Sequence, residues 1–119
     1  MDLADHSDVC WLGNAPLQDY SDIESIIAEI LKRGAIPFSM GGDHSITYPI
    51  LRALAASYPS LSILHFDAHG DLYDSLGGNR HSHASPFARI MEEGLAQALT
   101  QVGIRTLNDH QQTQVSKFG

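Results

Sequence analysis

The apolar run Leu61-Ser62-Ile63-Leu64-His65-Phe66 breaks directly into Asp67-Ala68-His69-Gly70-Asp71, and this junction constrains the fold more than any other stretch of the chain. A short apolar run bounded by turn-forming residues predicts a buried strand. The polar cluster then lies just past the carboxyl end of that strand, where ligands bind in open parallel sheets. If the backbone stays extended, residues at i, i+2 and i+4 share a face, so Asp67, His69 and Asp71 converge. Two carboxylates and an imidazole at one spot repel or stay unpaired unless a cation lies between them, and a divalent metal answers that need. Oxygen and imidazole donors without cysteine suit manganese, zinc or iron and argue against a structural zinc site.

A second apolar run, residues 35–40, closes on Gly41-Gly42-Asp43-His44-Ser45. It predicts a strand buried on both faces, with Pro37 as the one residue unable to donate to a ladder. Gly41 and Gly42 permit a sharp turn that carries His44 toward the Asp67 cluster. Asp43 is expected to bond backbone amides or support a ligand rather than hold a metal itself, and His65 to be buried in its strand or to support a ligand rather than be one. His6 and His110 look incidental.

Helical patterns separate these runs. Ser21 with Glu24 makes a capping box ahead of Ile23, Ile26, Ile27, Ile30 and Leu31, and Gly34 stops that helix. Ser45 is expected to cap a helix over 46–57 with Ile46, Ile50, Leu51 and Leu54 as its stripe. Residues 72–85 read as a loop, and Pro86 opens a helix through Glu93 before Gly94. Residues 99–104 predict a further strand, and Asn108 caps a last helix. Residues 9–12 suggest a short strand, with a turn at 13–16. The order helix, strand, helix, strand, loop, helix, strand, helix predicts an α/β fold with a parallel sheet.

Composition narrows the function classes. The chain has 119 residues, 43% of them hydrophobic, which bounds it to one domain at most. A net charge of -7, with only 7 Lys and Arg and those scattered, excludes a nucleic-acid-binding surface. No apolar run approaches the roughly 20 residues needed to cross a bilayer, so no membrane partner is expected. One cysteine, Cys10, and no secretory pattern predict a reducing, cytoplasmic setting.

The segments Gly41-Gly42-Asp43-His44-Ser45, Ile63-Leu64-His65-Phe66-Asp67-Ala68-His69-Gly70-Asp71, Ser82-His83-Ala84-Ser85-Pro86-Phe87 and Val102-Gly103-Ile104-Arg105 together resemble the ureohydrolase family, the arginase and agmatinase relatives. The resemblance implies a three-layer α-β-α fold around a parallel sheet. It implies hydrolysis of a small cationic guanidino compound, agmatine-like, into urea and an amine, with a pair of manganese ions. By the same resemblance His44, Asp67 and Asp71 hold one manganese, Asp67 bridges, and His69 holds the other. His83 matches the family's proton-transferring histidine, with His81 as its near neighbour in sequence, and Asn79 is a candidate substrate contact. The family's trimers or hexamers imply a homo-oligomer.

One family feature has no counterpart. Ureohydrolases carry a second aspartate pair, Asp-x-Asp, on a later strand, and the acidic residues after His83 are Glu92, Glu93 and Asp109. Residues 1–119 are therefore expected to form part of a ureohydrolase domain carrying its first metal motifs, doubtfully active by itself. The alternative is a noncatalytic metal-binding or interaction module that lacks the second pair.

Overall fold

The computed structural model describes residues 9, 10, 12–15 and 17–118. Its elements are α1 (Asp22–Lys32), a 3-10 turn (His44–Ile46), α2 (Thr47–Ser57), β1 (Ser62–Phe66), α3 (Pro86–Glu92), β2 (Ala98–Val102) and α4 (Asp109–Phe118). β1 and β2 pair in parallel with Ile63 opposite Leu99 and His65 opposite Gln101. The expected α/β class with a parallel sheet is what forms.

The helix limits follow local chemistry, not always the residues expected to supply it. Asp19 accepts from both the amide and the hydroxyl of Ser21, whose side chain makes no cap bond to α1. The Asp22 carboxylate closes the first turn instead, accepting from the amides of Gln18 and Asp19 at 2.7 and 3.1 Å. Glu24, expected to reach back to Ser21, pairs with Arg52 at 3.4 Å. Asp43, not Ser45, caps the second helical segment, accepting from the Ser45 amide at 2.9 Å. Asn108 does cap α4: its side chain accepts from the Gln111 amide at 2.9 Å while Gln111 accepts from the Asn108 amide at 3.4 Å, a reciprocal capping box.

The core lies on one face of the sheet. Ile63 and Leu99 point toward Tyr48 of α2 and Phe87 and Ile90 of α3, with Leu72 and Ala96 filling between. Phe87 and Ile90 are fully buried, and each contributes about 2 kcal/mol by leaving water. α1 packs on α2, burying Ile27 and Ala53. On the opposite face Leu64, Phe66 and Val102 are exposed. Of the expected three layers, the described residues build the sheet and one helical layer.

Two expectations fail for identifiable reasons. Residues 35–40 are not a strand: Ile36 is 90% and Phe38 86% exposed, in an extended segment with no ladder partner. Pro37 has no N–H to give, and an apolar run becomes a buried strand only where neighbours cover it. β2 stops at Val102 rather than 104 because Gly103 turns at φ 93°, where a Cβ would stand 3.2 Å from the Asp67 carbonyl. In the proposed strand at 9–12, Val9, Cys10 and Leu12 are irregular and Trp11 lies outside the described residues, as do Pro16 and His6. No helix among the described residues is long and apolar enough to cross a membrane.

Candidate metal centre

β1 delivers the site and a turn completes it. The Asp67 amide still donates to Val102 at 3.2 Å, continuing the ladder one residue past the strand. The chain then bends, His69 makes a single parallel bridge with Thr106, and Asp71 takes the left-handed conformation at φ 47° that aspartate tolerates better than most residues. The Phe87 amide at the start of α3 holds the Asp71 carbonyl at 3.3 Å. Asp67 and Asp71 therefore meet because the backbone folds back. The extended pleat expected from i, i+2, i+4 spacing does not persist, and His69 lines the cleft outside the group that Asp67 forms with Asp71.

Donor atoms of His44, His65, Asp67 and Asp71 all lie within 4.8 Å of one another. His44 Nδ1 and Asp71 Oδ2 are 2.7 Å apart, and His65 Nε2 is 3.7 Å from Asp67 Oδ2. His65 is 8% exposed, its ring against Phe87 at 4.4 Å and beside the His44 ring at 5.2 Å. Its Nε2 has no hydrogen-bond partner. His69 is exposed and outside this group, with its amide and Nδ1 on Asp67 Oδ1 at 2.8 and 3.1 Å. Three of the four expected ligands are thus together, and His65 joins them. The signal for His65 was in the sequence: it stands two residues before Asp67, on the same strand face.

The four donors open on a cleft of about 1050 Å³ that His69, His83 and Arg105 also line. His83 sits close enough to Asp43 to favour its ionised form. His81 does not share the cleft, since its ring packs against Tyr48 at 5.4 Å and Tyr20 at 6.0 Å. Asn79 belongs to a turn with Leu76 and accepts from the His81 amide at 2.9 Å, away from the cleft lining. His110 stacks on Tyr73 and accepts from the Asp74 amide at 3.2 Å.

The electrostatics follow these contacts. The hydrogen bond to Asp71 holds His44 above the usual imidazole range, against the opposing effect of burial. Burial, helped by the neighbouring His44, pushes His65 below it. The His69 amide keeps Asp67 below the ordinary carboxylate value, and Ser45 does the same for Asp43. Carboxylate oxygens and imidazole nitrogens gathered at one half-buried spot fit a divalent ion of the manganese, zinc and iron group. The later acidic residues are committed elsewhere: Glu92 pairs with Arg80, Arg89 and Lys117, and Glu93 bonds Tyr48 and faces Arg52. Asp109 opens α4.

Similarity to known proteins agrees with this geometry. A sequence model of the arginase family matches residues 1–119. The mitochondrial arginase of Medicago truncatula is 42% identical over 121 residues, covering 91% of this chain, and the chain spans only 36% of that relative's length. A guanidinopropionase of Pseudomonas aeruginosa is 43% identical over 103 residues, 79% of this chain and 32% of its own. The solved arginase from Medicago truncatula superposes with a TM-score of 0.80 at 44% identity, over 83% of this chain and 32% of that one. With the whole sequence matched and the motif residues gathered at one strand end, the chain belongs to the arginase family.

Proposed function

We propose that the complete protein hydrolyses a small cationic guanidino compound to urea and an amine, using manganese held by His44, Asp67 and Asp71. The observation that carries this reading is the convergence of those three side chains at the end of β1, on a cleft shared with His83. Asp67 presents its two oxygens in different directions, Oδ2 into the cluster and Oδ1 toward His69. That supports Asp67 as a shared carboxylate and His69 as donor to a second ion. Bound divalent ions of this kind make hydroxide available near neutral pH and so supply the nucleophile.

The remaining chemistry belongs to the chain. His44 gives up its proton to serve as a ligand. His83, from the loop before α3, hands a proton to the departing amine, the general-acid role that imidazole side chains most often fill. Residues 1–119 supply part of the family's domain in this reading, and the complete protein assembles as a homo-oligomer.

Agmatine follows from the motif resemblance, while relatives named arginase and guanidinopropionase favour testing arginine and a guanidino acid beside it. The test is urea release by the full-length protein, manganese-loaded, across agmatine, arginine, guanidinobutyrate and guanidinopropionate. Turnover of at least one, lost on chelation and on Asp67→Asn, is expected; no turnover of any sinks the assignment. Fractionation of cells making that protein separates the cytoplasmic placement expected from sequence from the mitochondrial placement in the Medicago relative's name. For the 119-residue chain alone a noncatalytic reading is favoured by Glu92 and Glu93 being tied up elsewhere. It predicts one weakly held manganese ion in calorimetry and no urea.

A further inference from the structure

Gln101 stands opposite His65 in the parallel register, and its side-chain amide meets two groups at once. Gln101 Nε2 donates to the Gly70 carbonyl at 2.7 Å and lies 3.0 Å from His65 Nδ1. A carbonyl oxygen only accepts, so the amide must turn its NH2 toward Gly70. The second hydrogen of that NH2 then meets Nδ1, which has to accept it. A neutral imidazole carries one proton, on the nitrogen that is not accepting. His65 therefore holds its proton on Nε2, the buried atom 3.7 Å from Asp67 Oδ2 that has no other partner. A nitrogen bearing a proton has no lone pair for a metal.

We infer that Gln101 is a positioning residue that keeps His65 out of the metal's ligand set, turning it into an N–H donor aimed at Asp67 while pinning the turn at Gly70 that brings Asp71 alongside. Proximity alone groups His65 with the ligands; the amide across the sheet divides the four side chains into three that bind and one that orients. The consequence for metal rests on the reading in the preceding section, but the proton's location belongs to the metal-free chain and can be measured without it.

The experiment is nitrogen NMR of the full chain with 15N-labelled imidazoles, His65 being assigned by its loss in His65→Gln. At neutral pH without metal, Nε2 of His65 is expected to carry the proton and Nδ1 to show the signature of a bare acceptor. Zinc, as a diamagnetic probe, should shift the His44 resonances and leave the Nε2–H of His65 in place. Gln101→Glu offers Nδ1 an acceptor, so the proton should cross to Nδ1 and zinc should then perturb His65 as well. Because that carboxylate also faces the Gly70 carbonyl and can weaken folding, Gln101→Met is measured in parallel. It should bind zinc roughly 10- to 100-fold more weakly, the scale seen when an orienting partner is removed. A proton on Nδ1 in the unaltered chain, zinc displacing the Nε2 proton, or unchanged zinc affinity in Gln101→Met each overturns the inference. If zinc shifts no histidine while Nε2–H is found, the tautomer stands and the metal reading falls.

Discussion

Two charged clusters sit on either side of α3, and they are built on opposite principles. Behind the helix, Arg89, Arg80 and Lys117 surround Asp74 and Glu92, with contacts of 2.8–3.2 Å. Arg89 is 3% exposed; its two terminal nitrogens donate to Asp74 twice and to Glu92 once, while its Nε has no partner. In front of the helix, among the described residues, the side chains that face Asp67 and Asp71 in pairs are histidines, charged only when protonated. The first cluster has brought its own cations. The second groups carboxylates with imidazoles and no Lys or Arg, as the proposed metal site requires.

Substitutions in the two clusters should differ most in what they do to stability. Arg89→Met removes the buried cation and leaves Asp74 and Glu92 facing each other over an apolar residue. Both carboxylates keep Arg80 or Lys117 as partners, so the loss is that of a disrupted buried network, about 1–3 kcal/mol, read by chemical denaturation of the metal-free chain. Asp67→Asn should have a smaller effect, about 1 kcal/mol or less, without metal, because it relieves repulsion instead of orphaning a partner. Its cost should appear in manganese affinity, which is expected to drop by about 100-fold, or ~2.7 kcal/mol. If Asp67→Asn unfolds the chain as readily as Arg89→Met, the cleft is a structural network after all.

How legible each cluster was follows from how local it is. His44 and the Asp67 turn could be read because each follows an apolar run within a few residues, and a glycine pair signals the turn that lets His44 approach. Asn108 as a cap was legible for the same reason, since its partner Gln111 is three residues away. The Arg89 network was not, because its members come from positions 74, 80, 92 and 117 and meet only once α3 and α4 have packed. Gln101 was hidden likewise: its partner His65 is 36 residues earlier and reaches it through the strand register. The strand expected at 35–40 failed on a point that sequence cannot supply, the presence of a neighbour. Ser45 lost its capping role to Asp43, two residues back, where two equally good cap residues compete for one helix start.

The finest discrimination between the clusters is their response to pH. Hydrogen bonding to Arg89 holds the Asp74 carboxyl below its ordinary value of 3.8. Such a group stabilises the fold above that value and loses its contribution as pH falls through the folded-state pKa, so the network weakens on the acid side. His44 has the opposite sign. Its pKa is raised from 6.5 by Asp71, so the pair contributes fully below 6.5 and loses that contribution as pH rises through the folded value. Denaturation midpoints of the metal-free chain should therefore slope downward just above pH 6.5, and Asp71→Asn should flatten that slope without touching the acid limb. Saturating manganese should reverse the alkaline slope, because the proton on His44 competes with the ion and leaves as pH rises. An alkaline slope that keeps its sign with manganese present would mean that His44 belongs to a salt bridge like those behind α3, and the two clusters would no longer differ in kind.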